Sequence, residues 1–181
     1  MSSKGEYPYY KDENLGLEII SLPYKDSQVS MYVVIPKEVN GLRRMRNSLT
    51  PEIIDKLINN MGQTDVIFLL PKVKLSHQED FTQVLNNMGV KSLTDPQRSD
   101  LSLLTSQNIY NQRIYFDKII QKVEMSISEE GTEAAAATAA FGSRMAVDDP
   151  IRVYANRPFL FFIRNNETKS ILFYGSISDP S

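Results

Sequence analysis

Cysteine and tryptophan are absent from the 181 residues, and histidine occurs once, at His77. A chain without cysteine forms neither a disulfide framework nor a thiolate metal site, so its redox compartment is left open. A serine hydrolase triad needs a histidine base and a turn that presents the nucleophile. The sequence has a single histidine and no Gly-x-Ser-x-Gly turn, so it gives little support for such a triad. We therefore expect no catalytic residue, no metal and no cofactor.

Glycine is scarce and the charges are balanced. None of the eight glycines falls in a G-x-G or Walker arrangement, so no phosphate-binding loop is indicated. The 20 Lys and Arg are offset by 22 Asp and Glu, which argues against a nucleic-acid partner. No apolar run has the length of a membrane span. Arg43, Arg44 and Arg46 precede the first predicted helix and are better explained by a solvated turn than by a polyanion site.

The chain alternates strand-like and helix-like segments, which predicts an α+β fold. The β-rich runs 17–22 and 29–35 flank a turn-prone segment and predict a hairpin, and 159–164 with 170–177 predict another. Residues 66–70 are typical of a buried strand. Residues 113–127 are also strand-like.

Two helices are predicted from their start signals. Thr50-Pro51-Glu52 combines a capping hydroxyl, a proline at the first helical position and an acid in the first turn. The stripe that follows is apolar and consists of Ile53, Ile54, Leu57, Ile58 and Met61. A capping box at residues 76–79 predicts the second helix, which would stop at Gly89.

Residues 129–141 contain an unbroken run of small side chains at 134–140. The alanine run favours helix by propensity, and a short surface helix or a linker is the ordinary interpretation. The run nevertheless continues a strand-like segment and precedes residues 142–150, which have the composition of an exposed loop. As a strand, it would place only small side chains on one face, namely Thr132, Ala134, Ala136, Thr138 and Ala140. A segment that slides into a crowded sheet needs this property.

The same segment resembles the hinge of inhibitory serpins almost residue for residue. The hinge residues are Glu129, Glu130, Gly131, Thr132, Glu133, Ala134, Ala135, Ala136, Ala137 and Thr138. Residues 153–163, VYANRPFLFFI, resemble the C-terminal signature of that family. Further landmarks at 22–24, 70–74, 85–89 and 170–175 follow in the family's order. Residues 1–181 are thus identified as the C-terminal part of a serpin domain, with its reactive loop at about 129–150.

This sequence departs from the family pattern in two respects. The strand before the hinge usually contains a buried histidine, and Gln121 stands in its place here. Glutamine replaces some hydrogen bonds of an imidazole but does not titrate. A complete serpin is also roughly twice as long, so the resemblance implies that the N-terminal half is missing.

The resemblance implies a suicide-type inhibitor of serine proteases and not an enzyme. At the usual hinge length, the scissile bond joins Met145 to Ala146, and a loop shorter by one residue would place it after Arg144. Met145 suits elastase-like or chymotrypsin-like proteases, whereas Arg144 suits trypsin-like ones. The four alanines at 134–137 argue against a non-inhibitory carrier, chaperone or storage member. An inactive truncated fragment stays open as an alternative.

The sequence also gives expectations for the location of the protein, its glycosylation and its self-association. The family suggests secretion, but the start of the chain has no apolar segment of a signal peptide, so an intracellular location stays open. Asn166-Glu167-Thr168 is a glycosylation sequon on a predicted turn. Without the N-terminal half, the strand at 113–127 would have an unpaired edge and the stripe containing Ile53 would be poorly covered. We therefore expect the chain to be prone to polymerisation.

Overall fold

The computed structural model describes residues 2–104, 113–127 and 149–180. The chain divides into two compact units, one formed by Met1–Val73 and Ile127–Ser181, the other by Lys74–Ser126. The elements are β1 (Ser2–Asp12), β2 (Leu17–Pro23), β3 (Val29–Pro36), α1 (Leu42–Ser48), α2 (Pro51–Asn59), β4 (Gly62–Leu69), β5 (Val73–Asp80), α3 (Thr82–Asn87), β6 (Ile120–Ile127), β7 (Ile151–Tyr154), β8 (Phe159–Asn165) and β9 (Ile171–Ile177). The expected α+β fold, rich in sheet, is confirmed.

One sheet organises the first unit. In the described residues its strands follow the order β7-β4-β1-β2-β3-β8-β9. All neighbouring strands are antiparallel except β4 and β7, which run parallel. The second unit contains a two-stranded sheet of β5 and β6 together with α3. No helix in the described part of the chain is long and apolar enough to cross a membrane.

Both predicted hairpins of the first unit are confirmed. β2 pairs with β3 in a register that runs from Leu17 opposite Pro36 to Pro23 opposite Ser30. The turn between them is a single 3-10 turn in which Asp26 adopts a positive φ of 68°. Aspartate tolerates this left-handed conformation better than most residues, and therefore suits the turn.

The core lies where two helices cover one face of the sheet. Tyr32 and Val34 of β3 and Phe162 of β8 contribute alternate residues to this face. Tyr32 and Phe162 stack with their ring centroids 5.0 Å apart. Met45 of α1 packs into the same cluster. The cluster thus joins segments from both ends of the chain.

Helix α2 begins as predicted, with Thr50 as its N-cap and Pro51 as its first residue. The Thr50 hydroxyl accepts a hydrogen bond from the Ile53 backbone N–H at 3.4 Å. Ile54 and Leu57 are buried against the sheet, and Ile53, Ile58 and Met61 pack beside them. The expectation that this stripe would be poorly covered is therefore wrong, because β3 and β8 of the same chain supply the cover.

The predicted helix start at residues 76–79 is wrong. These residues belong to β5, which pairs with β6. The helix begins later, where Asp80 Oδ1 accepts a hydrogen bond from the Thr82 backbone N–H at 2.9 Å. The predicted end is confirmed, since Gly89 has a φ of +90° just after α3. Strand pairing therefore overrides the local capping signal.

The strand predicted at 113–127 is shorter in the structure and begins at Ile120. The backbone groups of the residues before Ile120 form hydrogen bonds with other segments of the second unit. The Ile119 carbonyl accepts a hydrogen bond from Phe81 N–H, and Ile119 N–H donates to Thr82 Oγ1. Phe116 N–H donates to the Leu93 carbonyl. These contacts are incompatible with a continuous ladder through residues 113–119.

An ion pair between a buried arginine of β8 and a partly exposed aspartate of α2 connects these two elements. Arg164 is 6% exposed, and its guanidinium bonds to a carboxylate oxygen of Asp55. Lys169 Nζ lies 3.5 Å from the other oxygen of that carboxylate. Partial burial would raise the pKa of Asp55, but the hydrogen bond and charge of Arg164, together with Lys169, outweigh it. They hold the pKa below the ordinary aspartate value of 3.8.

We expect Asp55→Asn to destabilise the fold most at neutral pH and progressively less in acid. Because the pKa of Asp55 is lower in the folded state, the stability it contributes is complete above 3.8. That contribution is lost as the pH falls through the folded-state pKa. Urea unfolding midpoints over a pH series measure it, with Asp65→Asn on β4 as a control that removes an exposed carboxylate. Identical pH profiles for the two variants would contradict a specific contribution of the Asp55–Arg164 pair.

Candidate functional site

The candidate reactive loop itself lies outside the described residues. This applies to the whole hinge at 129–138 and to the bond residues Arg144, Met145 and Ala146. The structure does describe the strands that border the loop in sequence. β6 ends at Ile127 before it, and β7 begins at Ile151 after it.

Strand β7 attaches the C-terminal end of the loop to the first unit. It runs parallel to β4, with Ile151 opposite Val66 and Tyr154 opposite Leu69. Val153 is fully buried, and the Ala155 N–H continues the pairing with a 2.9 Å hydrogen bond to the Leu69 carbonyl. β7 is a strand of only four residues at the edge of the sheet. The loop thus ends on a short pairing that is secured by one buried side chain.

The segment that resembles a family signature forms β8, the strand next to the edge strand β9. β8 lies between β3 and β9, and Phe159, Leu160 and Phe162 are fully buried. A strand covered on both faces needs a continuous apolar run, which accounts for the Phe-Leu-Phe-Phe-Ile sequence. Arg157, just before this strand, donates a 2.9 Å hydrogen bond from a guanidinium nitrogen to the Lys37 carbonyl. The signature therefore positions the end of the loop.

Strand β6 precedes the hinge and belongs, except for Ile127, to the second unit. β5 is its partner, and within the described ranges no further strand pairs with its other edge. Gln121 is exposed on this strand. A glutamine at this position therefore lies in solvent in this chain, unlike the buried histidine that the family pattern led us to expect.

The other residues considered as candidate sites form no catalytic or metal-binding arrangement in the described part of the chain. His77 lies on β5 with its side chain 74% exposed, and its Nε2 is 3.3 Å from Glu79 Oε2. In residues 2–104, 113–127 and 149–180 no cluster of acids and histidine could hold a metal ion. Arg43, Arg44 and Arg46 precede the helix predicted at Thr50, as expected, but they lie on the short helix α1 and not in a turn, and Arg44 pairs with Glu38 at 3.1 Å.

One cavity of the first unit has a mainly apolar lining. It measures about 370 Å³ and lies at the ends of β4 and β7. Its lining residues are Leu69, Leu70, Pro71, Tyr154, Ala155, Asn156 and Pro180. None of these is a carboxylate, histidine or lysine, and Tyr154 contributes the one ionisable side chain of the lining.

Asn166 lies in the turn between β8 and β9, where its side chain makes three hydrogen bonds. Its Nδ2 donates to the Ser27 carbonyl at 2.9 Å and to Ser30 Oγ at 2.8 Å. Its Oδ1 accepts from the hydroxyl of Tyr32 at 2.8 Å. The residue is exposed, yet its amide ties this turn to the turn between β2 and β3. No feature of the sequence revealed this second role.

The comparison with known families agrees with the resemblance. A family described as serpin (serine protease inhibitor) matches residues 1–180. The chain belongs to the serpin family. The description of this family names inhibitors of serine proteases, and it is the family that the resemblance indicated.

Three relatives illustrate the extent of the match. A leukocyte elastase inhibitor of Xenopus tropicalis is 37% identical over 177 residues, covering 96% of this chain and 46% of the relative. Serpin B12 of Homo sapiens is 32% identical over 186 residues, covering 99% of this chain and 45% of the relative. A serine protease inhibitor of Cyanea capillata is 34% identical over 185 residues, covering 100% and 47%. This serpin chain therefore spans somewhat less than half the length of these relatives.

We expect Asn166 to carry a glycan when the chain is expressed through a secretory pathway. The glycan would replace one Nδ2 hydrogen, so the loss of one hydrogen bond should destabilise the fold by about 0.5–1.5 kcal/mol. Mass before and after glycosidase treatment detects the glycan, and urea unfolding measures its effect. Thr168→Ala is the matched control, since it removes the sequon and leaves Asn166 in place. A mass that glycosidase does not change would refute the modification.

Proposed function

We propose that this chain, within a full-length serpin, inhibits a serine protease by loop cleavage, loop insertion and covalent trapping. The observation that carries the proposal is the run of small side chains on one face of the hinge, from Thr132 to Ala140. Membership of a family of protease inhibitors supports it. The alanines at 134–137 favour inhibition over a carrier or storage role, because bulky side chains would resist insertion.

The first chemical step is ordinary proteolysis. The serine Oγ of the protease attacks the carbonyl carbon of Met145 and forms an ester, and the amine of Ala146 leaves with a proton delivered by the protease histidine. The N-terminal part of the loop now carries the protease through this ester. The peptide bond that connected it to β7 has been broken.

The border strand explains how the two parts of the cleaved loop separate. β7 stays in the sheet because Val153 is buried and the strand is paired with β4. The hinge is no longer linked to it and adds to a sheet as a new strand. Backbone hydrogen bonds and burial of the small face drive the insertion. The attached protease is deformed, and ester hydrolysis stalls because the oxyanion hole supplies much of the catalysis.

The names of relatives favour a target with an apolar primary pocket. Proteins called leukocyte elastase inhibitor occur among them in two Xenopus species. A protease of elastase or chymotrypsin type would take Met145 before the cleaved bond. A trypsin-like enzyme would instead cleave after Arg144, where the acid of its pocket meets the guanidinium.

For location we propose secretion, which the family resemblance alone supports, with an intracellular location as the alternative. Relatives such as serpin B12 bear names that state no location. Secretion is tested by the mass of the protein isolated from its natural source, because a glycan on Asn166 there requires passage through the secretory pathway.

In the full-length protein, we expect Thr132→Arg to convert the inhibitor into a substrate. The arginine would bring an unpaired charge to the face that must be buried, which costs several kcal/mol. Covalent complex resistant to SDS should fall more than about tenfold while cleavage continues. Glu133→Arg is the matched control because it introduces the same side chain on the opposite face. An unchanged complex yield for Thr132→Arg would rule out insertion.

We expect pancreatic elastase or chymotrypsin to cut the loop between Met145 and Ala146, and Met145→Asp to abolish complex with these proteases. An apolar pocket has no partner for the introduced carboxylate, so acylation should slow by about 100-fold or more. Mass spectrometry of the released C-terminal peptide identifies the bond. Arg144→Ala serves as the comparison, and would instead remove cleavage by trypsin. A peptide that begins at Met145 would assign the site to Arg144.

We expect the 181-residue chain alone to act as a substrate at best. Insertion needs strands on both sides of the gap, and the family pattern places one side in the half that relatives have in addition. Incubation with elastase, chymotrypsin and trypsin should give cleaved chain without an SDS-resistant band. Stoichiometric covalent complex from this chain would show that it builds a complete trap by itself.

A further inference from the structure

The sequon Asn166-Glu167-Thr168 lies in a turn that is ordered by hydrogen bonds around the acceptor asparagine. The side-chain oxygen of Asn165 accepts hydrogen bonds from the backbone N–H groups of Glu167 and Thr168, at 3.0 Å and 2.8 Å. The backbone N–H of Asn166 donates to the Gln28 carbonyl at 2.8 Å. The sequon therefore has a defined backbone conformation in the folded chain.

The side-chain amide of Asn166 is fully engaged within the protein. Its Nδ2 donates to the Ser27 carbonyl and to Ser30 Oγ, and its Oδ1 accepts from the Tyr32 hydroxyl. A neutral amide has two donor hydrogens on its nitrogen, so these two donations use both of them. The nitrogen that would carry a glycan thus has no hydrogen left for another partner.

Two of these partners are buried on β3. Ser30 is 2% exposed and Tyr32 is 4% exposed. If the amide left the turn, both hydroxyls would lose a hydrogen bond where water has little access, and leaving a buried polar group unpaired is costly. The folded chain therefore resists the withdrawal of Asn166, although this residue is itself exposed.

These contacts depend on the pairing of β3 with β8. Asn166 is separated from Tyr32 by 134 positions in sequence. The two residues come together because Ser30 lies opposite Arg164 in the ladder between the two strands, two positions before the sequon. Before these strands meet, the amide has none of these distant partners.

We propose that folding closes this glycosylation site, so that Asn166 accepts a glycan only before β3 pairs with β8. In the transfer, Nδ2 attacks the anomeric carbon of a lipid-linked oligosaccharide, the lipid pyrophosphate leaves, and Nδ2 loses one hydrogen as a proton. The folded turn opposes this step, because that hydrogen is already donated to Ser27 or Ser30. Chains with and without the glycan should therefore form side by side, in proportions set by the relative rates of transfer and folding.

The closure is independent of where the protein resides. Passage through the secretory pathway belongs to the proposed function, whereas the engagement of the amide is a property of the folded chain. Purified protein is sufficient to test the closure, so its failure and the failure of the secretion proposal are distinguishable.

Transfer by a purified oligosaccharyltransferase, supplied with a lipid-linked oligosaccharide, measures the closure. A synthetic peptide of residues 160–172 gives the rate for an open sequon, and the folded chain should react at least about 30-fold more slowly. The double variant Ser30→Ala, Tyr32→Phe removes two partners of the amide without adding charge or bulk. Its rate should exceed that of the parent chain by at least about tenfold.

Val33→Ala is the matched control for a general loss of stability. Val33 is fully buried on β3, and it lies on the face of the strand opposite to that of Tyr32. Its truncation weakens the core without touching the amide, so the rate of transfer should stay at the level of the parent chain. Urea midpoints and circular dichroism compare the stability and the fold of the variants.

Hydrogen exchange provides a second measurement, which needs no change to the contacts. The side-chain amide protons of Asn166 should exchange with solvent at least about tenfold more slowly than those of Asn40, which is also exposed. Nitrogen-edited NMR resolves these signals, and Asn166→Gln identifies them by their loss. Where the double variant does not fold, this exchange measurement on the parent chain decides.

Three outcomes would overturn the proposal. The first is transfer to the folded parent chain at the rate of the peptide or of the double variant. The second is an equal rise in rate for Val33→Ala and the double variant, because transfer would then follow general unfolding and not the local contacts. The third is equal exchange of the Asn166 and Asn40 amide protons.

Discussion

The antiparallel pairing of β3 with β8 is the contact on which the first unit depends. It joins a strand near the start of the chain to one near its end, with Met31 opposite Ile163 and Val34 opposite Leu160. Side chains from these two strands form the surface against which α1 and α2 pack. The stacked rings of Tyr32 and Phe162 belong to this surface. The burial of these groups supplies most of the driving force for that architecture.

The position of the loop end follows from this pairing. β8 is held between β3 and β9, and the strand just before it in sequence, β7, pairs with β4. The loop that precedes β7 is thereby attached to a well-packed structure at its C-terminal end. A cut in such a loop separates an anchored part from a part that is free to move, which is the property that a cleavage-triggered trap requires.

Local signals accounted for much of the fold but failed where partners are distant. The two hairpins and the start of α2 were predictable because a turn or a capping residue and its neighbours act within a few positions. The capping box at 76–79 was misleading, since β6 pairs with that segment and its pairing outweighs the cap. β1 was not predicted at all, although Tyr7 and Tyr9 alternate toward the core. Its mixed composition forms a strand because β2 and β4 flank it.

By itself the sequence determined the family and provided the hinge that we propose, because both depend on which residues are present and in what order. Small side chains at 132–140 define what the segment could enter, whatever surrounds it.

Only the tertiary structure decided which surfaces are covered. Ile54 and Leu57 are buried because β3 and β8 meet beneath α2, whereas Leu172 and Tyr174 stay exposed because β9 is the last strand. The hydrogen bonds of the Asn166 side-chain amide likewise depend on Ser27, Ser30 and Tyr32, which are far away in sequence. Burial and edge position are properties of contacts between distant segments, and no local pattern of residues specifies them.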